Sequence, residues 1–382
     1  MKDGTLSGWA DLGEEAVAFL PEVDRFLGRE LPAGRTLRSW DRELVTRAAG
    51  LGLQGILLDD DLGLQPGRTL LAAAASELVA ARAPALAMAV GCARIHSVML
   101  ARFAGQALRE RWLDTVAGAR AIGSMAISEP EAGTDIRGIR TVARRTDAGW
   151  VLDGEKAWVT LGPVADFSFV LAKIDSPDRK ADMGVFVVER EFAGVRYGPE
   201  ENIRAFGAVP VGGLALTSVA VPDTHVVATS GGFTRALAGV NYARLEAACL
   251  GVGILRGSTE IALRHARDRT AGGVPIEQHQ AVQLSVGRSV TQLEAARALL
   301  YRTAAVGLDR LEPARIGVLK AFATEAALEA ASRAISVQGA MGLLDERPAM
   351  QLFQDAKAAQ IFDGTTDILL MHAARAAARA LA

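Results

Sequence analysis

The chain has 382 residues, with 42 Lys and Arg against 44 Asp and Glu, so its net charge is −2 at pH 7. This length favours two or three domains, and a charge so close to zero gives no field that would hold nucleic acid or an acidic membrane. The two cysteines, Cys92 and Cys249, have no spaced Cys or His around them and indicate neither a disulfide framework nor a metal site. We therefore predict no metal, no nucleic-acid partner and a reducing, cytoplasmic location.

The sequence gives no sign of a membrane segment. Residues 1–20 contain Asp3, Asp11, Glu14 and Glu15, unlike the basic and apolar start of a signal peptide. No run approaches about 18 consecutive apolar residues, the length expected of a spanning helix. We predict no membrane partner.

Residues 1–122 carry Ala, Leu, Arg and Glu at helical spacing and are predicted as a helical N-terminal domain. Pro and Gly at 31–34 and 64–67 mark breaks between its helices. Residues 123–228 are predicted as a central β domain, because short β-rich runs alternate there with Gly, Asp and Pro turns. Its expected features are separate strands near 150–152 and 157–159, a hairpin connection at 147–149 and a strand at 214–221.

Residues 229–382 return to helical periodicity. Apolar residues from Val240 to Ile261 recur at spacings of seven, three, four and seven, which predicts one face of a long helix. Further helices are predicted at 277–306, at 313–337 and after Thr365. Blocks of helices, strands and helices indicate a multi-domain α+β fold, and no Gly-x-Gly-x-x-Gly follows an early strand, so a Rossmann nicotinamide site is not indicated.

Two motifs in the β region suggest a site. The first, residues 125–135, reads M-A-I-S-E-P-E-A-G-T-D. Its backbone N–H groups and the hydroxyls of Ser128 and Thr134 suit a polar ring or a phosphate, although an ordinary surface turn has the same composition. The second, residues 153–160, reads D-G-E-K-A-W-V-T and would place Trp158 and Thr160 on one face of a strand. An indole beside a hydroxyl suits a planar heterocycle, and the alternative is a buried core tryptophan.

Together with two later motifs, these segments resemble the acyl-CoA dehydrogenase family over essentially the whole chain. Residues 269–276, R-T-A-G-G-V-P-I, follow the family pattern R-x-x-F-G-x-P-I with Gly272 in place of Phe, and Gln280 stands at the family's glutamine. Residues 354–357 and 361–365, Q-D-A-K and I-F-D-G-T, follow the family's C-terminal signature. The four matches occur in the family's order.

The resemblance implies a helical N-terminal domain, a central β-barrel-like domain and a C-terminal four-helix bundle that bind FAD at their junction. It also implies a homodimer or homotetramer, because some residues would reach the FAD of a neighbouring subunit. Expected cofactor contacts within one subunit are Met125, Ile127, Ser128, Gly133, Thr134, Trp158, Thr160, Gly364, Thr365 and Asp367. Expected contacts to the neighbour's FAD are Arg269, Gln280, Gln338 and Gly339.

The resemblance implies that a carboxylate removes the proton beside a thioester carbonyl while oxidised flavin accepts a hydride. Asp363 stands at the family's base position, where Glu is usual, and Arg244 with Thr134 would hold the substrate. The other base position of the family is occupied by Ala243. Glu246 is a second candidate for the base, and a plain helix stop at Asp363-Gly364 is the structural alternative.

Several positions depart from the family pattern. Asp363 is one C–C bond shorter than Glu, about 1.5 Å, and a misplacement of that order can lower a rate about 100-fold. Ser336 stands where the family has Gln, and residues 203–210 lack the usual Gly-x-Arg-x-Ser loop. The prediction is an FAD enzyme that oxidises an acyl thioester of CoA or acyl carrier protein to its enoyl form and passes electrons to a partner. A flavin monooxygenase and a non-catalytic assembly subunit are the alternatives.

Overall fold

The computed structural model describes residues 12–32, 36–175 and 183–381. The prediction for residues 1–20 and the break at 31–34 thus lie partly outside the described residues. The first helical region contains α1 (Glu14–Glu30), α2 (Arg42–Gly50), α3 (Thr69–Arg82), α4 (Pro84–Phe103) and α5 (Gln106–Ala117). Asp41 caps α2 by accepting a hydrogen bond from the amide of Leu44 at 2.8 Å.

Helix α4 is long and apolar enough to cross a membrane by length and composition alone. Most of it is buried, however, and it packs against α3, α5 and α6. It also carries Arg94, whose side chain is fully buried. These properties are those of a core helix of a folded domain.

The central region forms one eight-stranded sheet with the order β6-β7-β3-β2-β4-β5-β8, in which β1 pairs in parallel with β4. Its strands are β1 (Gly123–Ala126), β2 (Val142–Thr146), β3 (Gly149–Thr160), β4 (Phe167–Asp175), β5 (Met183–Glu189), β6 (Val195–Glu200), β7 (Val211–Val221) and β8 (Val226–Ala228). The predicted hairpin is present, because Thr146 pairs with Gly149. The prediction of separate strands at 150–152 and 157–159 is wrong, because the single strand β3 includes both segments. Its pairing with β7 shifts register twice.

The last region contains α6 (Gly232–Asp268), α7 (Gln280–Ala304), α8 (Pro313–Gln338), α9 (Pro348–Ala359) and α10 (Thr366–Leu381), with a short hairpin of β9 (Thr270–Ala271) and β10 (Val274–Pro275) between α6 and α7. Helix α8 contacts α6, α7, α9 and α10. Helix α6 also packs closely against α3, where a Cβ on Gly257 would lie 2.2 Å from the Ala81 carbonyl oxygen. The first and last helical regions therefore share one core.

The secondary structure changes between Ala117 and Gly123 and again between Ala228 and Gly232. Division of the chain into domains at 122/123 and 228/229 is in line with these changes and remains a prediction. The base position and the motifs of the β region lie on opposite sides of the second boundary.

Candidate functional site

The first motif is held to the sheet by a buried ion pair. Lys156 is fully buried on β3, and its ammonium lies 2.8 Å from Oε1 of Glu129 and donates to the Ile127 carbonyl at 3.0 Å. Burial raises the pKa of Glu129, but hydrogen bonds from Lys156 and Thr141 outweigh it and leave that pKa below its ordinary value. Burial lowers the pKa of Lys156 to about 8, so both partners are charged at neutral pH.

The structure brings the two motifs of the β region together. The Ala157 amide donates to the Ser128 carbonyl at 3.0 Å, directly before Trp158. Trp158 lies in a bulge of β3 with φ of 58°, and its side chain is 63% exposed. The alternative of a buried core tryptophan is therefore wrong. A large aromatic ring held out of the sheet by a left-handed backbone gives a flat surface for a ligand.

The other residues of the two motifs differ in exposure. Met125, Ile127, Ser128 and Thr160 are partly buried, whereas Gly133 and Thr134 are exposed. A Cβ on Gly133 would meet nothing within 4 Å, so the space over this backbone is open. Thr160 is two residues beyond Trp158 and pairs with Val211 of β7.

The candidate base lies in the tight turn between α9 and α10. Asp363 and Gly364 both have left-handed backbones, with φ of 54° and 98°. Lys320 of α8 donates from Nζ to the carbonyls of Phe362 at 2.6 Å and Gly364 at 2.7 Å, and Arg244 of α6 donates from Nε to the carbonyl of Asp363 at 2.8 Å. Three consecutive carbonyls of this turn are thus bound by two cationic side chains.

The carboxylate of Asp363 is partly buried and keeps both oxygens available. Among the described residues it makes no hydrogen bond, and no cation lies within 4.0 Å of it. Burial raises its pKa above the ordinary value, while the charges of Lys320 and Arg244 oppose that rise. Nearby on α4, Cys92 has a pKa raised to about 12 by burial and by the carboxylates of Asp363 and Glu246. An available carboxylate of raised pKa is suited to accept a proton.

Gly364 lies against Arg244 of α6 in a backbone conformation that favours glycine. A Cβ at this position would lie 3.2 Å from Nη2 of Arg244, in a backbone conformation that a larger residue adopts at a cost. Arg244 also donates from Nη1 to Oδ1 of Asn241 at 2.9 Å. The predicted substrate arginine therefore lies against the base turn. The Ile368 amide donates a long hydrogen bond of 3.5 Å to the hydroxyl of Thr365, which caps α10. The predicted helix stop at Asp363-Gly364 is therefore present, and the Asp363 carboxylate still lies in the site.

Asp355 is linked to the base turn through Phe206, a connection that the sequence did not predict. Its Oδ1 accepts the Phe206 amide at 2.5 Å and the Gln351 side chain at 2.7 Å. The Phe206 ring in turn packs edge-on against Phe362, with ring centroids 5.9 Å apart. Burial raises the Asp355 pKa to about 7, and these hydrogen bonds oppose the rise. The departure at 203–210 is thus tied directly to the C-terminal signature.

The second candidate base is engaged elsewhere. Glu246 forms a buried ion pair with Arg94 at 3.0 Å, and the hydroxyls of Ser76 and Tyr242 donate to it at 2.8 and 3.0 Å. Both oxygens of this carboxylate are therefore occupied by donors of the protein itself. The geometry favours Asp363 over Glu246.

The residues predicted to reach a neighbouring subunit lie far from the base. Arg269 directly follows the end of α6, Gln280 begins α7, and Gln338 ends α8 with Gly339 directly after it. At about 1.5 Å per residue, residues 244 and 269 of α6 are about 38 Å apart. Gln338 is buried and donates to the Ala334 carbonyl at 3.3 Å. The structure therefore does not bring this group to the same site as Asp363 within one chain.

Asp367 is exposed in the first turn of α10, close to the base turn. In the described part of the chain no group of three or more His, Cys, Asp or Glu residues could hold a metal ion.

Comparison with known proteins agrees with this arrangement. Models of the N-terminal, middle and C-terminal domains of acyl-CoA dehydrogenase match residues 13–120, 124–219 and 230–378. The chain is 31% identical to cyclohexane-1-carbonyl-CoA dehydrogenase of Geobacter metallireducens and 31% identical to benzylmalonyl-CoA dehydrogenase of Aromatoleum aromaticum, in both cases over 94% of this chain and 97% of the relative.

Solved structures show the same fold. Butyryl-CoA dehydrogenase from Megasphaera elsdenii superimposes with a TM-score of 0.90 and 25% identity, covering 95% of this chain and 98% of that one. A glutaryl-coenzyme A dehydrogenase in complex with glutaryl-CoA gives a TM-score of 0.89 and 26% identity, with 95% and 94% covered. These matches confirm the predicted resemblance and fold class. Because all three domain models match in order, this chain belongs to the acyl-CoA dehydrogenase family.

Proposed function

We propose that this chain is an FAD-dependent dehydrogenase that converts an acyl thioester to its enoyl form, with Asp363 as the base. The observation that carries the assignment is the Asp363 carboxylate, which is available in a turn fixed by Lys320 and Arg244. The relatives named above are dehydrogenases of CoA thioesters, which supports this substrate class. Thioesters of CoA and of acyl carrier protein share the activated α-carbon on which the base acts.

The residues of the β region fit FAD. The exposed face of Trp158 suits stacking on a planar ring, and the open backbone at Gly133 leaves room for a bulky polar group. FAD, when bound, supplies an oxidised ring that accepts a hydride from the substrate. The residues that would hold it within one chain are those predicted above, namely Met125, Ile127, Ser128, Gly133, Thr134, Trp158, Thr160, Gly364, Thr365 and Asp367.

In the proposed reaction Asp363 accepts the α-proton of the thioester and becomes a neutral acid. The electron pair of that C–H bond forms the new double bond as the β-carbon loses its hydride. Arg244 and Thr134 hold the substrate. The hydrogen bond from Arg244 to the carbonyl of Asp363 fixes the position of this arginine relative to the base. A separate electron-accepting partner would then reoxidise the enzyme.

We also propose that the active unit contains at least two chains, as a homodimer or homotetramer. The separation of about 38 Å along α6 supports the idea that Arg269, Gln280, Gln338 and Gly339 serve the cofactor of a neighbour. Large apolar side chains on the bundle surface, at Phe322, Leu343, Leu344 and Leu370, are 36–59% exposed and would suit burial against another copy. The free cysteines Cys92 and Cys249 are compatible with the proposed cytoplasmic location.

The visible spectrum of the purified protein, followed by anaerobic addition of CoA-bound and carrier-bound acyl thioesters, tests this function. The proposal predicts a yellow protein that is bleached by a thioester and yields one enoyl product per flavin. A protein that gains no flavin spectrum on addition of FAD would favour the assembly-subunit alternative. Oxygenated product on admitting air to the reduced protein would favour the monooxygenase.

A further inference from the structure

The ammonium of Lys320 is a buried charge with a specific set of partners. The side chain is fully buried in α8, and Nζ donates to the carbonyls of Phe362 and Gly364 at 2.6 and 2.7 Å. A buried lysine is costly unless its donors are satisfied. Here the lysine lies under the candidate base, because its two acceptors are the residues on either side of Asp363.

We propose that Lys320 is the positioning residue of this turn: it fixes the peptides on both sides of Asp363 and supplies the buried positive charge that keeps Asp363 ready to accept a proton. This inference rests on the proposed function of Asp363 as the base. Lys320 touches neither the substrate nor the cofactor in this scheme, so it acts only through Asp363.

The geometry explains how the shorter base is placed. The backbones of Asp363 and Gly364 are left-handed, a conformation that costs free energy for Asp and persists only when its surroundings hold it. Lys320 holds two of the three carbonyls of the turn from the bundle interior, and Arg244 holds the middle one from α6. The carboxylate of Asp363 is therefore presented by a rigid turn rather than by a longer side chain.

The electrostatics of the site point the same way. Among the described residues, the charges of Lys320 and Arg244 act on Asp363, and those of Asp363 and Arg244 act on Lys320. The charges of Asp363 and Glu246 also act on Cys92 of α4. Cys92 has its pKa raised to about 12 and is neutral under ordinary conditions. Burial lowers the pKa of Lys320 to about 8, although Asp363 opposes this, so Lys320 is charged at neutral pH. Loss of its charge would leave Arg244 as the remaining cation beside the base.

Two substitutions at Lys320 test its positive charge and its hydrogen bonds to the turn. Lys320→Met keeps the approximate length and removes both the hydrogen bonds and the charge. Lys320→Gln also removes the charge but keeps an N–H donor of shorter reach, so it weakens the hydrogen bonds to Phe362 and Gly364 without removing every donor. Lys357→Gln is the matched control, because Lys357 is exposed on α9 and its ammonium bonds to the Gln360 side chain at 3.0 Å. The holoenzymes are compared by single-turnover bleaching of the flavin with a saturating acyl-CoA across pH 5–10, together with flavin content.

The proposal predicts that Lys320→Met slows bleaching about 100-fold, as expected for a misplaced base. Lys320→Gln should lose less rate, and the rising limb of its pH profile should move up by about one pH unit, since a favourable cation is gone. Flavin content and the control variant should stay as in the wild type. If Lys320→Met does not fold, Lys320→Gln still decides, because a wild-type rate and pH profile in that variant would overturn the proposal.

Asp363→Asn distinguishes this failure from failure of the proposed function. If Asp363→Asn abolishes bleaching while Lys320→Gln keeps the wild-type profile, the base stands and the role of Lys320 is wrong. If Asp363→Asn bleaches at the wild-type rate, the base assignment fails and the Lys320 proposal falls with it.

Discussion

Nε of Arg244 donates to the backbone carbonyl of Asp363 at 2.8 Å, so one arginine of α6 connects the predicted substrate site with the predicted base. We expect Arg244→Lys to keep a positive charge but lose the planar arrangement of donors that reaches both Asp363 and Asn241. The rate of flavin bleaching should fall about 10- to 100-fold, as a misplacement near the reacting atoms predicts, and KM for the thioester should rise. Stopped-flow bleaching over a range of substrate concentrations measures both, and unchanged values would show that the contact is incidental.

The pH dependence of bleaching should show the raised pKa of Asp363. Burial raises this pKa above 3.8, and only the ionised carboxylate accepts a proton. The rate should therefore increase with pH as the carboxyl group ionises, with a midpoint above the ordinary range of an aspartate. Asp147→Asn, in the β2–β3 connection, serves as a control that should leave the profile unchanged. A rate independent of pH between 4 and 7 would contradict a raised pKa at the base.

The exposed ring of Trp158 should contribute to cofactor binding. Trp158→Ala removes a stacking surface, and aromatic stacking contributes about 0.5–1.5 kcal/mol beyond buried area. The dissociation constant for FAD should increase about 10-fold, equivalent to about 1.4 kcal/mol. Trp158→Phe, which keeps a flat ring, should lose less. Titration of the apoprotein with FAD, followed by flavin fluorescence, measures the difference. Equal affinity of Trp158→Ala and wild type would show that the Trp158 ring does not contribute to FAD binding.

The ion pair between Glu129 and Lys156 should stabilise the fold and the first motif together. Glu129→Gln leaves the Lys156 ammonium buried without its charge partner, which costs about 3–5 kcal/mol in comparable pairs. Glu131→Gln removes a carboxylate from the same loop whose partner Arg140 is exposed, and such surface pairs contribute about 0–1 kcal/mol. Thermal or denaturant unfolding of the two variants compares them directly. Similar unfolding free energies would mean that the buried pair stabilises the fold no more than the surface pair does.

Much of the fold follows from the sequence because its local patterns agree with the tertiary structure. The spacing of apolar residues alone shows the change from helical to β-rich sequence and back to helical sequence. Helix α8 begins at the predicted Pro313. The continuous strand β3 was not predictable, because the segment between the two predicted strands continues the pairing with β7 across two register shifts, at Leu152/Gly154 and at Lys156/Val159. Such pairing depends on residues more than 50 positions away along the chain.

The candidate site was predicted less completely than the fold. The motifs identified Asp363, Arg244 and Trp158, but Lys320 and Asp355 were missed as residues connected to the base turn. Lys320 lies in the apolar run Val318 to Phe322 of a helix, and lysine is rarely fully buried. Its carbonyl partners are also 42 and 44 residues away along the chain. A charged residue at a position where the helical pattern requires an apolar one is the signal that could have indicated it.

Anaerobic single-turnover bleaching of Asp363→Asn with a saturating acyl thioester tests the central claim most directly, with Glu246→Gln as the comparison. Removal of a general base typically lowers a rate about 10²- to 10⁴-fold, so Asp363→Asn should bind FAD and substrate but bleach at least about 100-fold more slowly. Glu246→Gln should be less stable, because it breaks the pair with Arg94, yet keep its proton acceptor. Wild-type bleaching by Asp363→Asn, with a loss confined to Glu246→Gln, would contradict the account.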